Sequence, residues 1–155
     1  MSKADAQIAA MRRDWPSFTL DQRSGGTLAW AGELTPFART YAVRIELSLS
    51  REVGFRKRVD GQVRVTVRSP LLSRRSADPD TPIPHVYVNK AQAHLPYLCL
   101  HDPAQNEWND HQLVAETIVP WSIDWLGCYE LWQASGIWVG GGRHPDMPLP
   151  APRVQ

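Results

Sequence analysis

Tyr41-Ala42-Val43-Arg44-Ile45-Glu46-Leu47, followed beyond a turn signal at Asp60-Gly61 by Val63-Arg64-Val65-Thr66-Val67, alternates apolar and polar side chains with a period of two. Successive side chains on a strand point to opposite faces, so the pattern predicts two strands with one face on a core and the other in water. Working back toward the N-terminus, Phe18-Thr19-Leu20 and Leu28-Ala29-Trp30 keep the same rhythm. Ser24-Gly25-Gly26 separates these two, and Gly32 with Pro36 precedes Tyr41. Such short links of turn-forming residues favour a four-stranded antiparallel meander. Ahead of it, residues 4–14 are strong helix formers with Ile8 and Met11 on one face, and Pro16 stops the run. An N-terminal helix followed by a meander makes the class α+β.

Working forward, Pro70, Pro79, Pro82 and Pro84 break up the segment from Pro70 to Pro84, which is expected to lie as an extended surface loop. Few apolar residues anchor it, so trimming it is expected to alter partner binding more than stability. Asn109, before Asp110 and His111, is read as the cap of a short helical segment ending near Ile118. Beyond it Trp121, Trp125, Tyr129 and Trp132 recur at helical spacing, with Pro120 in the first turn and Gly136 at the end. That stripe reads as a core face. The expected division is a single domain over 1–139 and a mobile Gly/Pro-rich tail over 140–155, opening with Gly140-Gly141-Gly142 and serving as hinge or docking tail.

At 155 residues and 43% hydrophobic content the chain fits one domain. A formal net charge of +1 is far from the balance of a general nucleic-acid binder. The basic clusters Arg56-Lys57-Arg58 and Arg74-Arg75 read as solvated loop residues. Two cysteines, and no apolar run long enough for export or for a membrane span, place the expected location in the reducing cytoplasm. Five of the seven tryptophans (Trp108, Trp121, Trp125, Trp132, Trp138) fall in the last third, where the core should be thickest.

Chemistry points to Cys99, in His94-Leu95-Pro96-Tyr97-Leu98-Cys99-Leu100-His101-Asp102-Pro103. A thiolate is the best nucleophile among ordinary side chains and needs only partial exposure and a polarising environment. His94 and His101 are near enough in sequence to help, while Leu98 and Leu100 fit equally an inert packed thiol. His101 and Asp102 point to opposite faces of an extended segment, which argues against a Cys-His-Asp relay, and Asp102 reads best as the start of the turn at Pro103. A zinc site from His94, Cys99, His101, His111 and Cys128 lacks any Cys-x-x-Cys or His-x-x-x-His pair. Cys128 reads as a core or helix-surface residue, with redox partnership to Cys99 the lesser reading, and Gly140-Gly141-Gly142 lacks the context of a phosphate cradle. No metal and no cofactor is expected.

The order helix, four-strand meander, proline-rich loop, Cys-Leu, Trp, helix resembles the ubiquitin-conjugating (UBC-like) fold. Leu98-Cys99-Leu100, with Trp108-Asn109 nine residues after the cysteine, looks like the active-site Cys-Leu and following Trp-Ser of those enzymes. Pro84-His85-Val86-Tyr87, Thr117-Ile118-Val119-Pro120-Trp121, Trp125-Leu126, Tyr129-Glu130-Leu131-Trp132 and Gly136-Ile137-Trp138 are similar to a bacterial branch. That branch is the ubiquitin-conjugating-like protein of CBASS, the cyclic-oligonucleotide antiphage signalling islands, in its stand-alone short type. The resemblance implies an antiviral-defence transferase in which Cys99 accepts the C-terminal tail of a cGAS-like nucleotidyltransferase as a thioester and passes it to an amine, such as a lysine of a target protein. Eukaryotic members carry His-Pro-Asn upstream of the cysteine, whereas here His85-Val86-Tyr87 stands there without an Asn. Tyr87, Asn89 or a backbone N–H are the candidate oxyanion donors in its place. Two other readings follow from the same residues: a non-catalytic UBC-like module that docks and regulates the nucleotidyltransferase, and a hydrolase using Cys99 with His94 or His101.

Overall fold

In the computed structural model, which describes residues 1–55 and 57–140, the alternating stretches pair as a continuous antiparallel sheet. In chain order the elements are α1 (Lys3–Asp14), β1 (Thr19–Ser24), β2 (Thr27–Leu34), β3 (Tyr41–Ser48), β4 (Arg51–Glu52), β5 (Arg58–Val59), β6 (Gln62–Ser69), β7 (Val86–Tyr87), β8 (Tyr97–Leu98) and α2 (Ile118–Ser135), with a 3₁₀ turn at Pro103–Gln105. The main sheet runs β1-β2-β3-β6-β8-β7, and β4 with β5 forms a separate ribbon. The fold is therefore α+β, with a helix at each end of an antiparallel sheet.

Period two holds the centre together. Val43 faces Val67, Ile45 faces Val65 and Leu47 faces Val63, and every one of these side chains is buried. Cross-strand apolar pairs of this kind are what a sheet gains by keeping register, because a slip of one residue would turn the whole set to water. β1 and β2 join through Gly25 and Gly26 at φ +56° and +77°, the left-handed values a two-residue hairpin turn requires. Gly32 has a different role from the turn expected of it. It lies within β2, and a Cβ there would sit 2.5 Å from the Phe18 ring, so the aromatic packs flat on a residue that must lack a side chain.

α1 begins at Ser2, whose hydroxyl accepts from the Asp5 N–H (3.1 Å), and buries Ile8, Ala10, Met11 and the polar Gln7. Gln7 spends its amide on the backbone of the segment before α2, donating to Gln112 O (2.8 Å) and accepting from Val114 N–H (2.9 Å). α2 buries Ile118, Val119, Trp125, Leu126, Tyr129 and Trp132, in one hydrophobic cluster with α1 and the inner sheet face. It ends at Gly136 with φ +78°, and the Gly136 N–H closes onto Trp132 O at 2.7 Å.

Three expectations change. The sheet has six strands rather than four, since β7 and β8 are two-residue strands too short to show periodicity. Only one C-terminal α-helix occurs among the described residues. Residues 109–117 form turns instead, with Asn109 Oδ1 accepting from His111 N–H (3.0 Å) in a local turn. The Pro70–Pro84 loop is tied down by polar bonds that composition could not reveal. Tyr129 Oη accepts from Ser73 N–H (3.0 Å), Gln133 Nε2 donates to Ser73 O (2.6 Å), and Arg75 Nε donates to Gln133 O (3.2 Å) beside the α2 C-terminus. The expected tail from residue 140 lies, Gly140 apart, outside the described residues.

Arg75 satisfies a terminal helix carbonyl and places its cation at the negative end of α2. Arg75→Ala is expected to cost about 1 kcal/mol, lowering the melting temperature by roughly 2–4 °C in calorimetry. Asp110 is buried and accepts from Lys3 Nζ (2.9 Å) and Ser50 N–H (2.6 Å), and a Cβ on Gly61 would lie 2.8 Å from its carboxylate. Burial pushes its pKa up, but the bonds from Lys3 and Ser50 outweigh that and hold it down at about 2, against 3.8 for an ordinary aspartate. A folded-state pKa below the unfolded one contributes stability that is present above pH 3.8 and is lost as pH falls toward 2. Asp110→Asn is expected to cost about 2 kcal/mol at neutral pH and to flatten the stability profile in that acid window, read by urea unfolding at several pH values.

Candidate active site

Cys99 follows directly on β8, where the chain leaves the sheet, and its N–H donates to His85 O at 2.9 Å. The same carbonyl accepts from Trp125 Nε1 of α2, also at 2.9 Å. His85 holds φ +53°, an uncommon backbone conformation for a residue with a side chain, and this turns its carbonyl toward both donors. The Cys99 segment, the entry to β7 and α2 thus meet at one oxygen.

The sulfur is half-buried and lines a groove of about 260 Å³ with His85, Leu100, Trp121, Asp124, Trp125, Cys128, Trp138 and Gly140. Trp138 forms one wall, packed on the His85 ring (centroids 4.9 Å apart) and on Trp125 (5.2 Å). The chain then passes so close to α2 that a Cβ on Gly140 would lie 2.7 Å from Trp138 Nε1 and 2.9 Å from Cys128 Sγ. A glycine is needed there for steric reasons. A second cavity, about 440 Å³, lies on the far side of the Cys99 segment between β6 and Leu98, Leu100, His101 and Trp108.

Tyr87 reaches the sulfur: its hydroxyl accepts from the Cys99 thiol at 3.3 Å and donates to His101 O at 3.3 Å. Burial raises the Cys99 pKa above the ordinary thiol value. The Tyr87 hydroxyl lowers it in part, and the charges of Asp102 and Glu107 raise it again. The resting sulfur is therefore a thiol at neutral pH.

The other expected residues are placed as follows. His101 is half-buried against Trp108 (centroids 6.1 Å), and its Nδ1 is buried without a hydrogen-bond partner among the described residues. Burial lowers its pKa against the opposing charges of Glu107 and Asp102, so the ring is neutral near pH 7. His94 is exposed on the bend before β8 and does not line the groove. Asn89 is buried within the β7–β8 loop, its Nδ2 donating to Leu95 O (2.9 Å) and its Oδ1 accepting from Gln92 N–H (3.2 Å). Its amide braces that loop. Asp102 caps the 3₁₀ turn through Ala104 N–H (2.9 Å), as its turn reading expects. Among the described residues no group of three His, Cys, Asp or Glu could hold a metal ion, and no helix is long and apolar enough to cross a membrane.

Sequence reasoning missed that Cys128 shares the groove with Cys99. The signal was present, because Trp121, Asp124, Trp125 and Cys128 stand at i, i+3, i+4 and i+7 on one face of α2. What could not be read was that this face turns toward residue 99.

A family model described as Type II CBASS E2 protein matches residues 7–145 of the chain. No curated protein matches it.

Because the thiol is raised, its alkylation should be slow at neutral pH. With Cys128→Ser as background, the rate of iodoacetamide addition to Cys99 is expected to climb about tenfold per pH unit, with a midpoint above the ~8.5 of a free cysteine. A midpoint below that value, read by intact mass against time, would contradict the environment described here.

Proposed function

The chain belongs to the Type II CBASS E2 family, and from that membership we propose that it is a UBC-like cytoplasmic acyl carrier. In this reading it takes the C-terminus of a cGAS-like nucleotidyltransferase as a thioester on Cys99 and passes it to an amine. The observation that carries the proposal is the placement of Cys99 Sγ in an open groove rather than under the core, with its backbone fixed by His85. The UBC-like assignment is supported by the order of α1, meander, proline-rich loop, cysteine segment and α2.

The chemistry is acyl exchange in two steps. Attack of the Cys99 thiolate on an activated C-terminal carbonyl forms the sulfur–carbon bond and releases the activating group. Attack of a neutral amine on the thioester then forms the carbon–nitrogen bond, returns the thiolate and releases a proton. The thioester makes the second step easier because its carbonyl is more open to amines than an amide. The protein's share is positioning: His85 O fixes the residue bearing the sulfur, and Trp121, Trp125 and Trp138 wall the approach of an extended chain end. Of the suggested auxiliary residues, Tyr87 is within reach of the sulfur, whereas Asn89 and His94 serve the β7–β8 loop and its surface. Acceptor lysines on target proteins complete the proposed set of partners, with no nucleic acid or membrane contact required.

Co-expression with the genomic neighbour nucleotidyltransferase, followed by intact mass, tests this directly. The wild type is expected to carry a thiol-sensitive adduct that is absent from Cys99→Ala, while Cys99→Ser carries a thiol-resistant, base-labile ester. A tight complex with no adduct in any variant would instead establish the docking module, and a cleaved partner fragment would establish the hydrolase.

A further inference from the structure

We propose that Tyr87 is a positioning residue that sets the ionisation of Cys99, its one hydroxyl proton turning from the His101 carbonyl to the sulfur as the thiol becomes a thiolate. The proposal deepens the reading of Cys99 as nucleophile and takes from it only that the sulfur reacts as an anion. In the resting arrangement the Tyr87 oxygen accepts from S–H and donates to His101 O, both at 3.3 Å. A phenol carries a single hydrogen, so both bonds hold only while the sulfur keeps its own proton.

Removing that proton to solvent leaves two acceptors, Sγ and His101 O, competing for one O–H. The charged acceptor wins, because a hydrogen bond to an anion is stronger than one to a neutral carbonyl. The rest of the surroundings gives the sulfide little other help. Among the described residues no Lys or Arg lines the groove, and the titratable ones that do, besides Cys99, are His85, Asp124 and Cys128. From the loop beyond, Asp102 and Glu107 add negative charge near the sulfur. With the acids opposing ionisation and burial disfavouring it, the Tyr87 hydroxyl, 3.3 Å from the sulfur, is the group that favours the anion among the described residues. Two paired backbones hold that hydroxyl in place, since Tyr87 faces Tyr97 and Val86 faces Leu98 across β7 and β8. Once the sulfur is acylated it has neither proton nor charge to offer. The hydroxyl then returns its proton to the His101 carbonyl.

The pH dependence of Cys99 alkylation by iodoacetamide tests this without any partner protein, so it stands apart from the fate of the acyl-carrier reading. In a Cys128→Ser background, Tyr87→Phe keeps the ring and removes only the hydroxyl. The midpoint is expected to move up by about one pH unit, slowing alkylation about tenfold below it and leaving the high-pH plateau within twofold. A purely structural role would lower the plateau or the rate at every pH without moving the midpoint. Either that pattern or a midpoint unchanged from Cys128→Ser alone overturns the proposal. Asn89→Ala, which disturbs the same loop without touching the sulfur, is the control and should leave the midpoint in place.

Discussion

The carbonyl oxygen of His85 accepts from the Cys99 N–H and from the Trp125 indole, and the arrangement of the site follows from that double acceptance. Neither donor could be left unpaired without cost, since both lie in or beside the core. To serve both, residue 85 adopts φ +53°, a conformation that histidine tolerates better than most residues with a side chain but that still costs energy. The strain is offset where it arises, by two hydrogen bonds and by the packing of the His85 ring against Trp138. A short, two-residue strand such as β7 could not hold the Cys99 segment in place by itself. Anchored to α2, it can.

This arrangement explains why the groove is polar at one end and aromatic along its length. The sulfur lies where the chain departs from β6, because β8 meets that strand at only one register, Thr66 opposite Tyr97. Past that point residues 99–101 turn away from the sheet, opening the cavity behind them and presenting Cys99 toward α2 on the other side. Burial then raises the thiol, and a single hydroxyl moderates it. A thiol kept protonated at rest reacts slowly with stray electrophiles.

How much of this was legible in the sequence divides along a physical line. Period-two alternation over β3 and β6 was strong because one face of each strand is fully buried, and the Trp-rich stripe announced α2 for the same reason. Features fixed by polar bonds between distant segments left no periodic trace. Gln7 reaching the backbone of residues 112–114, and Ser73 and Arg75 reaching α2, belong to that class. Cys99 could be singled out from its flanking residues, but nothing in the order of residues distinguished Tyr87 from Asn89 as its neighbour. On a strand, side chains two apart share a face. The chain leaves β7 at Tyr87, so Asn89 turns into the loop while the tyrosine stays over the sulfur.

α2 carries the consequence furthest. Ser122 and Ser135 bond carbonyls of α2 itself, whereas three of its longer side chains with polar atoms reach partners in other segments. Trp125 finds His85 O, Tyr129 finds Ser73 N–H, and Gln133 finds Ser73 O through its amide and Arg75 through its carbonyl. Each bond recruits a loop with no regular structure of its own and fixes it against the helix. The same helix that completes the core thereby positions the cysteine entry and the proline-rich loop at once. A substitution on its buried face reaches the site through these bonds, without contact with the sulfur. Stability and the placement of Cys99 meet in Trp125, which α2 buries in the core and whose indole holds the same His85 carbonyl that accepts from the Cys99 N–H.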